Sequence, residues 1–155
     1  MMTEKELVIL SHLRQDARKN LTAISKETGM PISTIFDRLR KYETEGIVKR
    51  HTALLDFGKL GYEVKVHIAL KVPRECRDNL KAYLLNEPMI NSVYRINNGY
   101  DFMIEAFFKN VNDVHEFVEG LERFKVKNPE EYYVLEEIKK EAFMADPQIV
   151  RIFRE

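Results

Sequence analysis

The segment from Asn20 to Arg50, NLTAISKETGMPISTIFDRLRKYETEGIVKR, spaces helix start and stop signals so closely that two short helices joined by a tight turn are the natural solution. Asn20 is an N-cap residue, able to accept from a first-turn amide of a helix whose inward positions are Leu21, Ile24 and Thr28. Gly29 stands where a helix C-terminus needs a left-handed residue. Pro31 then opens the next helix, where a missing amide donor costs nothing. At about 100° per residue, a helix over 32–45 puts Ile32, Ile35, Leu39 and Tyr42 on one stripe, the expected buried side. The opposite side carries Ser33, Thr34, Asp37, Arg40, Lys41 and Thr44, with Phe36 and Arg38 at its flanks.

Those outward residue types hydrogen-bond base edges and phosphates. Arg40 can fork onto a guanine, the Ser33 and Thr34 hydroxyls serve base or backbone, and Asp37 accepts only from cytosine. The pattern is that of a helix-turn-helix entering double-stranded DNA, the bland alternative being a polar solvated face on a three-helix bundle. Upstream, Leu7, Leu10 and Leu13, with Ile9 beside them, predict a roofing helix over residues 4–15. Charge agrees: residues 1–50 hold 10 Lys and Arg against 7 Asp and Glu, and residues 51–155 hold 15 against 18, so the balanced whole conceals an asymmetry. An excess of that size grips phosphates weakly from one copy, which points to two or more copies acting together. Beyond the reading helix, Lys49 and Arg50 are the better candidates for phosphate contact, with His51, Lys26 and Lys19 behind them.

Composition sets outer limits. At 155 residues with 45% hydrophobic and 32% charged, the chain can bury a core. It has no run of 18 apolar residues, and MMTEKEL lacks a basic start or an apolar signal segment, so a cytoplasmic protein with no membrane partner is expected. One cysteine, Cys76, excludes an intramolecular disulfide and a cysteine-based zinc cage, and its helical stripe predicts packing. His12, His51, His67 and His115 show no metal-ligand spacing and are expected on the surface or in strands; no metal and no cofactor are expected.

From Ile47 the apolar period changes, and an extended connector over 49–61 is expected, between a helical domain at 1–48 and a second domain at 62–155. In VKVHIALKV, Val64, Val66, Ile68, Leu70 and Val72 alternate with Lys65, His67, Ala69 and Lys71, a strand with one face against helices. A helix from Pro73 to about Asn86 follows, then strands near Ile90–Asn97 and Asp101–Phe108 joined by an Asn98-Gly99 hairpin signal. A helix over about Val111–Phe124 and a strand over about Tyr132–Lys139 complete a β-α-β-β-α-β order, so the fold class is α+β, three helices followed by a ferredoxin-like sheet. The sheet face away from its helices is expected to carry Ala69, Val93, Met103, Phe107, Tyr133 and Leu135. That is more apolar area than a monomer leaves wet, and a second copy of the sheet in a two-fold homodimer is the expected cover.

EKELVILSHLRQDARKNLTAISKETGM, then STIFDRLRKYETEGIVKRHTALLDFGKLGY, then NGYDFMI together resemble the Lrp/AsnC family of transcriptional regulators over roughly the first 140 residues. The pattern is matched by Leu13, Asp16, Arg18, Gly29, Ser33, Thr34, Arg38, Leu39, Glu43, Gly46, Ile47, Leu55, Gly61, Gly99, Tyr100 and Asp101. The chain departs from it at Pro31, Asp37, Tyr42 and the tail from Pro147. The resemblance implies a sequence-specific regulator that binds pseudo-palindromic promoter sites as a dimer, often assembled into tetramers or octamers. It also implies a sheet domain that, in many members, senses an amino acid or related metabolite near the hairpin matching Asn97 to Asp101.

Two accounts of that hairpin stand side by side. Gly99 allows close backbone approach, and Asp101 with the Asn98 amide and Tyr100 can recognise an ammonium and a carboxylate. Equally, Asn98 and Gly99 satisfy the positive φ angles of a tight turn that Asp101 caps. Two other functional classes are open: an enzyme on the ferredoxin-like sheet, for which no nucleophile with a base, phosphate cradle or paired acids is present, and a metabolite-binding module whose helices serve protein contacts.

Overall fold

The computed structural model describes residues 2–153, leaving aside the side chain of Arg151. They form two compact units, one of residues up to Leu54 together with those from Ile138 onward, the other Leu55–Glu137. The sequence pattern predicts all of 62–155 with the sheet; residues from Ile138 group with the helices instead.

In the helical unit, α1 (Glu4–Gln15), α2 (Leu21–Thr28) and α3 (Ile32–Thr44) follow the local signals closely. A capping box starts α1: the Glu6 carboxylate accepts from the Thr3 amide at 2.8 Å and the Thr3 hydroxyl accepts from the Glu6 amide at 3.3 Å. Asn20 Oδ1 accepts from the Ala23 amide at 2.8 Å to start α2, and Gly29 ends it at φ 68°. Ile9, Ile24, Ile35 and Tyr42 form the buried core of this unit. Ile32, expected within that stripe, is 46% exposed, because α3 begins at this residue and its side chain stands ahead of the packed turn.

The tail belongs to this unit. Arg14 of α1 donates from Nη1 to Glu141 Oε2 at 2.9 Å and from Nε to the Phe143 carbonyl at 3.2 Å. A 3-10 turn, Val150–Phe153, packs along α1 with Val150 fully buried, and the Phe143 and Phe153 rings meet at 5.2 Å.

In the sheet unit, β1 (Val64–Leu70), α4 (Arg77–Asn86), β2 (Ile90–Arg95), β3 (Phe102–Phe108), α5 (Val111–Gly120) and β4 (Glu130–Tyr133) form an antiparallel sheet of order β2-β3-β1-β4. Val66, Ile68 and Leu70 of β1 and Phe102, Ile104, Ala106 and Phe108 of β3 meet Leu80 and Leu84 of α4 and Val114 and Phe117 of α5 in one core. Both expected helices are shorter in α form, since Arg74–Cys76 and Leu121–Phe124 are 3-10 turns. Cys76 is half-buried against that core.

The register corrects three residues assigned to the open face. Val93 opposes Ile104, so it lies on the helix side; an irregularity between Ile90 and Ser92 shifts the alternation and brings Tyr94 to the open face opposite Met103. Tyr133 opposes Val66, hence faces the helices too, and Tyr132, opposite His67, takes the open side. Leu135 is outside the sheet altogether and 96% exposed. β4 runs over Glu130–Tyr133 rather than from Tyr132 to Lys139, because β1 starts at Val64 and in this register has no residue to pair beyond 135.

Candidate nucleic-acid interface

The helical unit turns α3 outward. Ser33, Phe36, Asp37, Arg40 and Lys41 are exposed and Thr34 half-exposed, while Ile35 and Tyr42 hold the other side in the core. The Arg40 guanidinium lies 5.8 Å from the Phe36 ring centroid, and Lys41 Nζ is 3.7 Å from Glu45 one turn on. Asp37 has no cationic partner among the described residues, so its carboxylate stands free on the same face.

Arg38 is placed differently from its neighbours. Its Nη1 donates to Glu6 Oε1 at 2.5 Å, which braces α1 against α3 and orients the reading helix from behind. The Thr3 amide holds the Glu6 carboxyl below its usual range, with Arg38 adding to that against the opposing effect of burial. Burial, with the Glu6 carboxylate beside it, pushes the Tyr42 hydroxyl up to about 12, so it stays protonated. His12, expected at the surface, is 1% exposed, with Nε2 2.9 Å from Glu27 and Nδ1 3.0 Å from Lys19 Nζ. Lys19 Nζ is also 2.7 Å from Glu27, so its ammonium is occupied within the unit. Lys49 and Arg50 are exposed without a carboxylate partner among the described residues, and His51 pairs with Glu43 at 2.9 Å.

At the hairpin of the sheet unit, Asn98 and Gly99 take φ 61° and 86°, the paired left-handed conformation of a two-residue turn. Asp101 is buried and committed: Oδ2 accepts from the Val72 amide at 2.9 Å, and Oδ1 is 2.7 Å from Arg77 Nε. Its own amide donates to the Leu70 carbonyl at 2.8 Å. The carboxylate thus ties the hairpin to the end of β1 and the start of α4. Tyr100 instead reaches Glu130, whose hydrogen bond pushes the Tyr100 hydroxyl up to about 12.

The open face of the sheet mixes apolar and charged groups. The Phe57 and Phe107 rings meet at 4.5 Å, tilted by 51°, Ala69 is buried, and Met103 is half-buried with Ala69 and Tyr94 as its cross-strand neighbours. Through its centre run Lys65–Glu105 at 3.3 Å, His67–Glu105 at 3.3 Å and Lys65–Glu137 at 2.9 Å. Burial acts to raise the Glu105 carboxyl, but the Asn91 amide and Lys65 ammonium outweigh it and hold it below its usual range. No sequence signal distinguished this network, because its members are scattered over β1, β2, β3 and the segment after β4 and meet only in the folded sheet.

Three short helices with an outward polar α3, in one chain with a four-stranded antiparallel sheet, define a helix-turn-helix DNA-binding protein with a separate regulatory domain. Residues 2–49 match the winged helix-turn-helix DNA-binding family and residues 63–143 the Lrp/AsnC ligand binding domain; the chain belongs to the Lrp/AsnC family of transcriptional regulators. It is similar to an uncharacterised HTH-type transcriptional regulator of Pyrococcus abyssi, 26% identical over 95% of this chain and 100% of that one. The HTH-type transcriptional regulator FL11 of Pyrococcus horikoshii is 31% identical over 76% of this chain and 78% of its own. The Neisseria meningitidis transcriptional regulator NMB0573, solved with L-Met, shares the fold at TM-score 0.84 and 24% identity, over 90% of this chain and 94% of that one. No described helix is long and apolar enough to cross a membrane.

Proposed function

We propose that this regulator acts in the cytoplasm on pseudo-palindromic promoter sites, as a homodimer or a tetramer or octamer built from it. Ser33, Thr34, Phe36, Asp37, Arg40 and Lys41 face the bases, and Lys49 and Arg50 the flanking phosphates. The observation that carries the reading is the outward face of α3, held by Glu6 and Arg38 from behind and free of any covering element of its own unit. Such a face reads a duplex through the major groove.

The dimer joins through the open sheet face, where Tyr94, Met103, Phe107 and Tyr132 present apolar area around Ala69. An amino acid, the class of ligand with which the Neisseria regulator was solved, binds at the Asn98–Gly99–Tyr100 turn. It does so through the turn's backbone groups and Tyr100, because the Asp101 carboxylate is already spent on Val72 and Arg77. Selection of bound duplexes from random DNA, with and without an amino-acid mixture, tests both parts. The expected result is two inverted half-sites whose enrichment changes with the mixture. Absence of any sequence preference would make the helices a protein-contact module instead.

A further inference from the structure

α3 exposes more than polar groups. Ile32 is 46% exposed and Phe36 49%, and with Arg40 they make a row at i, i+4 and i+8 down the helix. A face that only neutralised phosphates would have no use for a half-exposed aromatic ring. In the major groove of DNA the apolar group that a base pair presents is the C5 methyl of thymine.

The Arg40 guanidinium lies over the Phe36 ring, with 5.8 Å from its central carbon to the ring centroid. Stacking limits the rotamers of a long side chain before DNA arrives, so less freedom is lost when its fork engages. The planar fork matches the O6 and N7 acceptors of guanine. Asp37, next to Phe36 and one turn before Arg40, stands on the same exposed face with a free carboxylate. The cytosine paired to that guanine offers it an N4 donor, which turns a group that repels phosphates into one that favours a G·C pair.

We propose that Phe36 and Arg40 act as one reading unit for a thymine next to a guanine, the ring taking the methyl group and the fork the guanine edge, with Asp37 on the opposing cytosine. The inference rests on the regulator reading above and narrows it to a dinucleotide step.

The test starts from a duplex selected by the full-length protein. Each thymine is replaced in turn by uracil, which removes only the methyl, and binding is measured by fluorescence anisotropy. One uracil per half-site should weaken binding about fourfold, the worth of one methyl group withdrawn from water. It should adjoin a guanine whose replacement by 7-deazaguanine also weakens binding. Phe36→Ala should bind the thymine and uracil duplexes alike, and Phe36→Leu should keep part of the difference. Indifference of the wild-type protein to uracil at every position overturns the proposal while leaving the regulator reading intact, and assigns the Ile32–Phe36 surface to a protein partner. Failure to select any sequence overturns both. Full uracil sensitivity in Phe36→Ala likewise overturns it. Should that variant not fold, the uracil series on the wild-type protein decides alone.

Discussion

The two units bury their apolar residues on very different scales. Among the described residues the sheet unit closes a core of fourteen buried apolar side chains, and the helical unit one of four. What the second lacks in area it makes up with polar ties: the Glu6–Arg38 pair, the buried His12 between Lys19 and Glu27, and a tail anchored by Arg14 and Val150. A small core is marginal because little of the unfolded chain's surface is removed from water. The difference teaches that the reading head is the fragile part and the sheet the durable one.

The sharpest way to break that contrast is to open the small core. Ile24 is fully buried, and Ile24→Ala should cost roughly 2 to 5 kcal/mol. Hydrogen exchange should then show residues 4–44 unprotected while the strands stay protected, and DNA binding should vanish. Loss of protection in both units together would mean they share one core. A smaller effect is expected in the durable unit: Asp101→Ala removes the acceptor of the Val72 amide and the ion-pair partner of Arg77 and should cost roughly 1 to 3 kcal/mol, with extra exchange confined to the hairpin and the start of α4.

How far these features could be read from the sequence follows the same division. α1, α2 and α3 were legible almost to the residue, α1 from the spacing of Leu7, Leu10 and Leu13 and the other two from Asn20, Gly29 and Pro31, signals that act over three or four positions. β1, β2 and β3 were legible from alternation and the Asn98-Gly99 turn from its residue pair, whereas β4 fell at Glu130–Tyr133 and not at Tyr132 to Lys139. Facing was not: Val93 fell on the wrong side because an irregularity at Ile90–Ser92 leaves no mark on composition, and Tyr133 because β4 slides against β1 by pairing rather than by pattern. His12 looked like a surface residue since its partners lie on the neighbouring turn and helix. The place of the tail depends on Arg14, more than a hundred residues away. At the candidate interface the outward polar residues were legible, but the exposure of Ile32 and the tie of Arg38 to Glu6 were not.

On DNA, the contrast is between reading and gripping. Arg40→Ala should lose roughly 1 to 3 kcal/mol at one base position and relax preference there. Lys49→Ala should weaken all duplexes alike and reduce the salt slope by about one. Gel shifts in which both variants behaved the same would erase the distinction.

The smallest effect concerns pH. Burial, followed by the Lys19 charge, holds His12 below its ordinary value, so folding favours the neutral ring. Its contribution is therefore present above the unfolded value of about 6.5 and is lost as pH falls through the folded one. Urea unfolding of the helical unit should show a drop in stability from pH 7.5 to 5.5 that His12→Gln reduces. An equal drop in the variant would place the sensitivity elsewhere.

Whether a durable sheet carries two fragile reading heads onto one operator is settled by comparing affinity for a selected duplex with both half-sites against the same duplex with one half scrambled. Two tethered heads should prefer the intact duplex by roughly a hundredfold or more. Equal affinities would contradict the account.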